Sequence, residues 1–156
     1  MGWNINQIPQ AVKDKLGIKD IAYKQFWAIV GDSKPIYFRS SWEYYYSLFL
    51  EKLKQDGKII KWEHEPHCFW FEKIKRGVRS YLPDYRVTHL DGKIEYVECK
   101  GYMDDKSKTK MKRMALYHPL VNIRLVDKEW FLKNLKSLKA LEPLYAKKLA
   151  KNELGK

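Results

Sequence analysis

Cysteine is nearly missing. Cys68 and Cys99 are the only two in 156 residues, too few for a disulfide framework and without the paired spacing of a zinc ribbon. Long apolar runs are missing too: no stretch reaches the roughly 20 residues that a membrane-spanning helix needs. The opening MGWNINQIPQ has no secretory-signal pattern. No repeat recurs at a fixed period, and no Pro-, Gly- or Ser-rich tract is long enough to mark a linker. Acid is the minority charge, with 19 Asp and Glu against 31 Lys and Arg, a net charge of +12. Together these absences predict one basic compact domain with no membrane partner, placed in the cytoplasm.

What is present can build a core. Apolar residues make up 45% of the chain and aromatics 15%, including 6 Trp and 11 Tyr, which excludes wholesale disorder. A field this positive favours a polyanion, nucleic acid first and an anionic membrane surface second.

The strongest periodic signal lies in residues 41–55. Trp42, Tyr45, Tyr46, Phe49, Leu50 and Leu53 recur at helical spacing, Ser40 can cap the start and Gly57 the end. By that spacing Tyr44 points away from the stripe, free to stack on a base or a partner. Ahead of this helix, residues 1–37 read as an accessory arm with a short helix over 10–16. Residues 58–73 are β-rich with a break at Pro66, and 80–88 with 93–100 read as a hairpin turned at Leu90-Asp91-Gly92. A helix over 106–118 stops at Pro119. A strand follows over 121–126, then a helix capped by Asp127 and a Lys-rich tail after Pro143. This order predicts an α/β fold with a single central mixed, mostly antiparallel β-sheet flanked by helices.

Three carboxylates and a lysine carry the chemistry: Glu43, Asp84, Glu98 and Lys100. Glu98 and Lys100 are two apart on one strand and so share a face, and a paired strand sets Asp84 beside them. Two carboxylates with a backbone carbonyl such as that of Cys99 form an oxygen-rich site suited to Mg²⁺. Such an ion activates water and offsets charge on a scissile phosphate, with Lys100 steadying the reacting groups. Each motif also has a plain structural reading. Glu-x-Lys on a strand is commonly a solvated face, Pro-Asp a turn, and Ser40-Ser41-Trp42-Glu43 fits a helix-capping box. Glu63-His64-Glu65-Pro66-His67-Cys68 is rich in metal-ligand types, but strand alternation spreads them over both faces, so a strand entering a turn is expected.

Glu43 on the first helix, then Pro83-Asp84, then Glu98-Cys99-Lys100-Gly101, resemble the PD-(D/E)XK nuclease superfamily. The phage and archaeal-like Holliday junction resolvases are the nearer likeness. Phe38-Arg39-Ser40-Ser41-Trp42-Glu43 is similar to the stretch that brings the helix glutamate into those phage enzymes. Val97-Glu98-Cys99-Lys100-Gly101-Tyr102, the Lys-rich helix, His118-Pro119 and an Ile-Arg-Leu-Val strand are similar to their second half. The likeness spans about residues 38–126, leaving 1–37 as an arm and 127–156 as a helical extension with a basic tail. It implies a restriction-endonuclease-like core with Glu43, Asp84 and Glu98 as acidic metal-site residues and Lys100 as the catalytic lysine. It also implies Mg²⁺ or Mn²⁺ dependence, a homodimer, and paired nicks across a four-way junction, in a phage-encoded protein of the host cytoplasm.

For DNA contact the sequence offers Arg39 and Ser40 before the first helix, and Arg76 and Arg79 in a basic loop. Lys106, Lys108, Lys110, Lys112 and Arg113 follow along the helix after the Glu98 strand. Amides at that helix start and the Ser107 and Thr109 hydroxyls would add donors. The expected function is a divalent-metal-dependent, structure-selective endonuclease that resolves four-way junctions. Its alternatives are a related nuclease acting on flaps, branched intermediates or duplex DNA, and a basic DNA-binding protein without catalysis.

Overall fold

A computed structural model describes residues 25–150. The helix expected over residues 10–16, Trp3 and the last six residues lie outside them. The elements run β1 (Phe26–Val30), β2 (Ile36–Phe38), α1 (Ser41–Gln55), β3 (Ile59–His64), β4 (Phe69–Trp70) and β5 (Ser80–Tyr81). They continue as β6 (Tyr85–His89), β7 (Ile94–Cys99), α2 (Asp105–Tyr117), β8 (Ile123–Val126), α3 (Lys128–Tyr145) and β9 (Ala146–Leu149).

The predicted α/β class holds. The central sheet has strand order β3-β6-β7-β8, with β3, β6 and β7 antiparallel and β8 parallel to β7. Alternation along β7 divides its side chains between two cores. Val97 and Cys99 join α1 and α3 on one face, while Tyr96 joins Phe69, Phe71, Tyr81 and Met114 under α2 on the other. Helices therefore cover both faces. Trp42 of α1 meets Phe131 of α3 edge to face at 4.4 Å, and Leu135 and Leu138 extend the same contact. His118 ends α2, its Nε2 3.0 Å from the Trp70 carbonyl and its ring packed on Phe69.

Two further sheets accompany the central one. β4 and β5 form a two-stranded ribbon, and β2-β1-β9 form a three-stranded sheet that joins the two ends of the described chain. This second sheet corrects three expectations. The described part of residues 1–37 is a wall of the core, since Ala28 and Val30 are fully buried. The segment after Pro143, expected as a Lys-rich tail, is helix and then strand through Leu149: α3 runs through Pro143 and β9 pairs with β1 from Trp27↔Leu149 to Val30↔Ala146. Tyr44 does not face outward. It is 1% exposed, held edge-on by Phe26 at 4.9 Å and Phe38 at 5.3 Å. One apolar stripe was visible along α1, but sheets cover the helix from two sides.

Gly31 links this second sheet to α1. It has φ +60, and a Cβ built there would stand 2.3 Å from Glu51 Oε1. Glu51 cannot easily yield, because it is fully buried and accepts from Trp62 Nε1 and Gln55 Nε2, both at 2.8 Å. Gly31→Ala is therefore expected to lower stability by about 1–3 kcal/mol, read as a lower urea midpoint with an unchanged slope.

Among the described residues no helix is long and apolar enough to cross a membrane.

Candidate metal and phosphate site

The site begins where the β6–β7 ladder ends. Tyr85 pairs with Val97. One residue earlier, after Pro83, the Asp84 N–H still reaches the Val97 carbonyl at 3.0 Å. Its side chain then replaces a backbone acceptor, with Oδ2 accepting from the Cys99 N–H at 2.7 Å. Asp84 is thus tied by main and side chain to the strand that carries Glu98. Burial raises the Asp84 carboxyl well above the usual carboxylate range, and the charges of Glu98 and Glu43 push it further, against the Cys99 hydrogen bond and Lys100.

Glu98 follows Tyr96 on the α2 face of β7. Its Oε2 accepts from the Tyr81 hydroxyl at 2.9 Å. Burial raises its carboxyl too. The Tyr81 hydrogen bond opposes that most, then Lys100 and Lys110, while Glu43 adds to it. Tyr81 itself is raised by burial first and by the Glu98 charge second.

Glu43 enters from the first turn of α1. Its N–H donates to Ser40 Oγ at 3.2 Å, and its carbonyl accepts from the Tyr85 hydroxyl. The latter bond bolts the helix start to the strand residue next to Asp84. The Glu43 side chain faces His64, with Oε2 3.5 Å from Nε2. The Glu65 carboxylate joins them: one ligand atom from each of Glu43, His64 and Glu65 lies within 4.8 Å of the others.

The structure sets Glu43 and Lys100 near enough to act electrostatically on both Asp84 and Glu98. Such a set suits a divalent cation. Asp84 and Glu98 are half-buried carboxylates whose proton affinities burial raises, that of Asp84 raised further by the Glu98 charge. A dication held between Asp84 and Glu98 would offset that cost.

Residues 27–139 match DUF1064, a family described as proteins of unknown function. The chain belongs to DUF1064. No curated protein and no solved structure matches it. The DUF1064 segment contains every site residue named above, from Glu43 to Lys100.

Three site residues of this DUF1064 chain were not predicted: His64, Glu65 and Tyr81. Strand alternation places Glu63 and His64 on opposite faces, as expected, and would send Glu65 back to the side of Glu63. Glu65 escapes that rule with φ 45, the one non-glycine residue with positive φ among the described residues. This left-handed residue returns its carboxylate to the His64 side. The run of ligand-type residues before Pro66 was the available signal. For Tyr81 nothing in the sequence distinguishes a core tyrosine from one that holds a carboxylate.

The proposed DNA-contacting residues of this DUF1064 domain divide in two. Arg39 is exposed beside a surface cleft of about 590 Å³ that His64 and Glu65 also line. Arg76 and Arg79 are exposed on the loop between β4 and β5, and Lys106, Lys108 and Lys112 on α2. Lys110 is half-buried and near enough to Glu98 to hold its proton affinity down. Ser40 is a correction, because it is buried and its hydroxyl caps α1. Arg113 is another: its guanidinium donates to the Val78 carbonyl and straps the β4–β5 loop to α2. The start of α2 is no open anion site either. Asp104 caps it, accepting from the Ser107 N–H at 2.7 Å, and the Thr109 hydroxyl donates to the Asp105 carbonyl.

Proposed function

We propose that this protein is a divalent-metal-dependent, structure-selective DNA endonuclease that resolves four-way junctions as a homodimer. The observation that carries the reading is the tie between Asp84 and the Glu98-Cys99-Lys100 strand, made by the Cys99 N–H to Asp84 Oδ2 at 2.7 Å. Asp84 and Glu98 would hold Mg²⁺ or Mn²⁺ together with the Cys99 carbonyl, and the ion supplies a water of lowered pKa and charge for the scissile phosphate when bound. Tyr81 orients the Glu98 carboxylate through the bond to Oε2. The Lys100 ammonium lies close enough to lower the proton affinity of both acids, and there it draws a phosphate toward them. Glu43 adds a third negative charge to the neighbourhood.

The exposed cations on α2 and the β4–β5 loop suit contact with phosphates rather than base edges. Recognition of this kind reads the shape of DNA, in line with the resolvase resemblance of residues 38–126. A chain with one such site needs a second copy to cut two opposed strands, and two-fold symmetry would set the two sites against a junction's two-fold axis.

The test compares synthetic four-way junctions, flaps and linear duplex in parallel, with Mg²⁺ or EDTA, alongside the mass of the native oligomer. Paired symmetric nicks confined to the junction, made by a dimer, are expected. Equal cutting of flaps or duplex would move the substrate to another branched or linear DNA. Binding without cleavage in either Mg²⁺ or Mn²⁺ would overturn the enzymatic reading.

A further inference from the structure

We infer that Glu43, His64 and Glu65 form a second cation site, selective for a first-row transition dication over Mg²⁺. The His64 side chain is 9% exposed and the Glu43 side chain 11%. His64 Nε2 and Glu43 Oε2 are each buried with no hydrogen-bond partner. Buried polar atoms are nearly always paired, so two orphans facing one another mark a missing third party.

An ion pair accounts for this geometry poorly. A charge-assisted N–H···O bond closes to about 2.7–2.9 Å, whereas these atoms stand at 3.5 Å. A desolvated pair without that bond recovers little of its solvation loss. Shared ligation accounts for it better. Two atoms held about 2.1 Å from one ion in tetrahedral directions stand about 3.4 Å apart. The Glu65 carboxylate lies within 4.8 Å of both and borders the open cleft, so a side-chain rotation completes the set.

The donors also choose the metal. One imidazole and two carboxylates neutralise a dication, and the imidazole favours Mn²⁺, Zn²⁺ and their row over Mg²⁺, which prefers oxygen ligands throughout. The cleft supplies an entry path from solvent. Its Arg39 and Lys34 leave a bound ion facing cations that would welcome an anionic oxygen, such as that of a phosphate. The site stands on its own ligands whether or not Asp84 and Glu98 serve a nuclease.

The experiment titrates Mn²⁺ into the untagged, EDTA-stripped full chain in excess Mg²⁺, following free Mn²⁺ by electron paramagnetic resonance. Pulsed spectra of the bound ion are then recorded for ¹⁴N coupling. Wild type should hold one Mn²⁺ that Mg²⁺ does not displace, with the ¹⁴N coupling of a ligated imidazole. His64→Gln should erase that coupling. Glu65→Gln, at the cleft surface, should weaken Mn²⁺ at least tenfold and decides the matter if His64→Gln fails to fold. An Asp84→Asn/Glu98→Gln double variant should keep the coupling. No ¹⁴N coupling in wild type, coupling that survives His64→Gln, or unchanged affinity in Glu65→Gln would overturn the site and leave a buried ion pair. The nuclease reading fails on a separate result, DNA cleavage by the double variant.

Discussion

Asp84→Asn should reduce metal-dependent cleavage by roughly a thousandfold or more and, in the same protein, raise the thermal midpoint of the metal-free form. The first effect follows from removing a charged oxygen ligand while the Cys99 N–H keeps an acceptor. The second follows from electrostatics. Burial and the charges of Glu98 and Glu43 raise the Asp84 carboxyl in the folded state, while an unfolded Asp titrates near about 3.9. Between those two values the folded protein holds a proton that the unfolded chain has lost, so stability falls as pH rises through that window. Above the raised value the loss is complete. Asparagine never ionises and escapes it.

The variant should therefore match wild type below about pH 4 and exceed it increasingly above, by about 3–6 °C at neutral pH for a chain of this size. Mg²⁺ should stabilise wild type and have little effect on the variant. Thermal melts across pH with and without Mg²⁺ test this directly. A variant less stable than wild type at pH 7, or one that still cuts, would show that Asp84 is a structural acid and not a metal ligand.

Phe131→Ala carries the other large effect, a loss of about 3–5 kcal/mol from a total that for such domains is about 5–15. Phe131 is fully buried, meets Trp42 at 4.4 Å and touches Tyr46 and Trp130. It anchors α3 to the helix that carries Glu43. Truncation after Val126 should be worse still, since it strips Leu135 and Leu138 from the core and β9 from β1. Urea unfolding of Phe131→Ala and circular dichroism of the truncated chain measure both. A stable, folded 25–126 fragment would show that residues 38–126 form a self-sufficient core with an optional extension. In the packing α3 covers the same sheet face as α1, and the described ends of the chain meet in one sheet.

Several local elements were legible because short-range physics governs them. Ser40 and Asp127 act as N-caps where the sequence placed them, with Asp127 Oδ1 accepting from the Trp130 N–H at 2.9 Å. The Leu90-Asp91-Gly92 turn forms with Gly92 at φ 84 and Asp91 Oδ1 accepting from the Lys93 N–H. Period-2 alternation placed Cys99 in the core and Glu98 on the other face. What escaped were features made by distant segments. Tyr44 is buried because β1 and β2 close over α1, and β9 exists because β1 offers it an edge.

The central run of elements from the capped α1 through the β6–β7 hairpin to the capped α3, and the basic surface, can be read from the chain, because periodicity, caps and charge are local properties. Folding added Tyr81 to Glu98, set His64 against Glu43, and turned Glu65 back by a single left-handed residue. Those meetings depend on strand pairing and helix placement across long separations, and no local pattern encodes them.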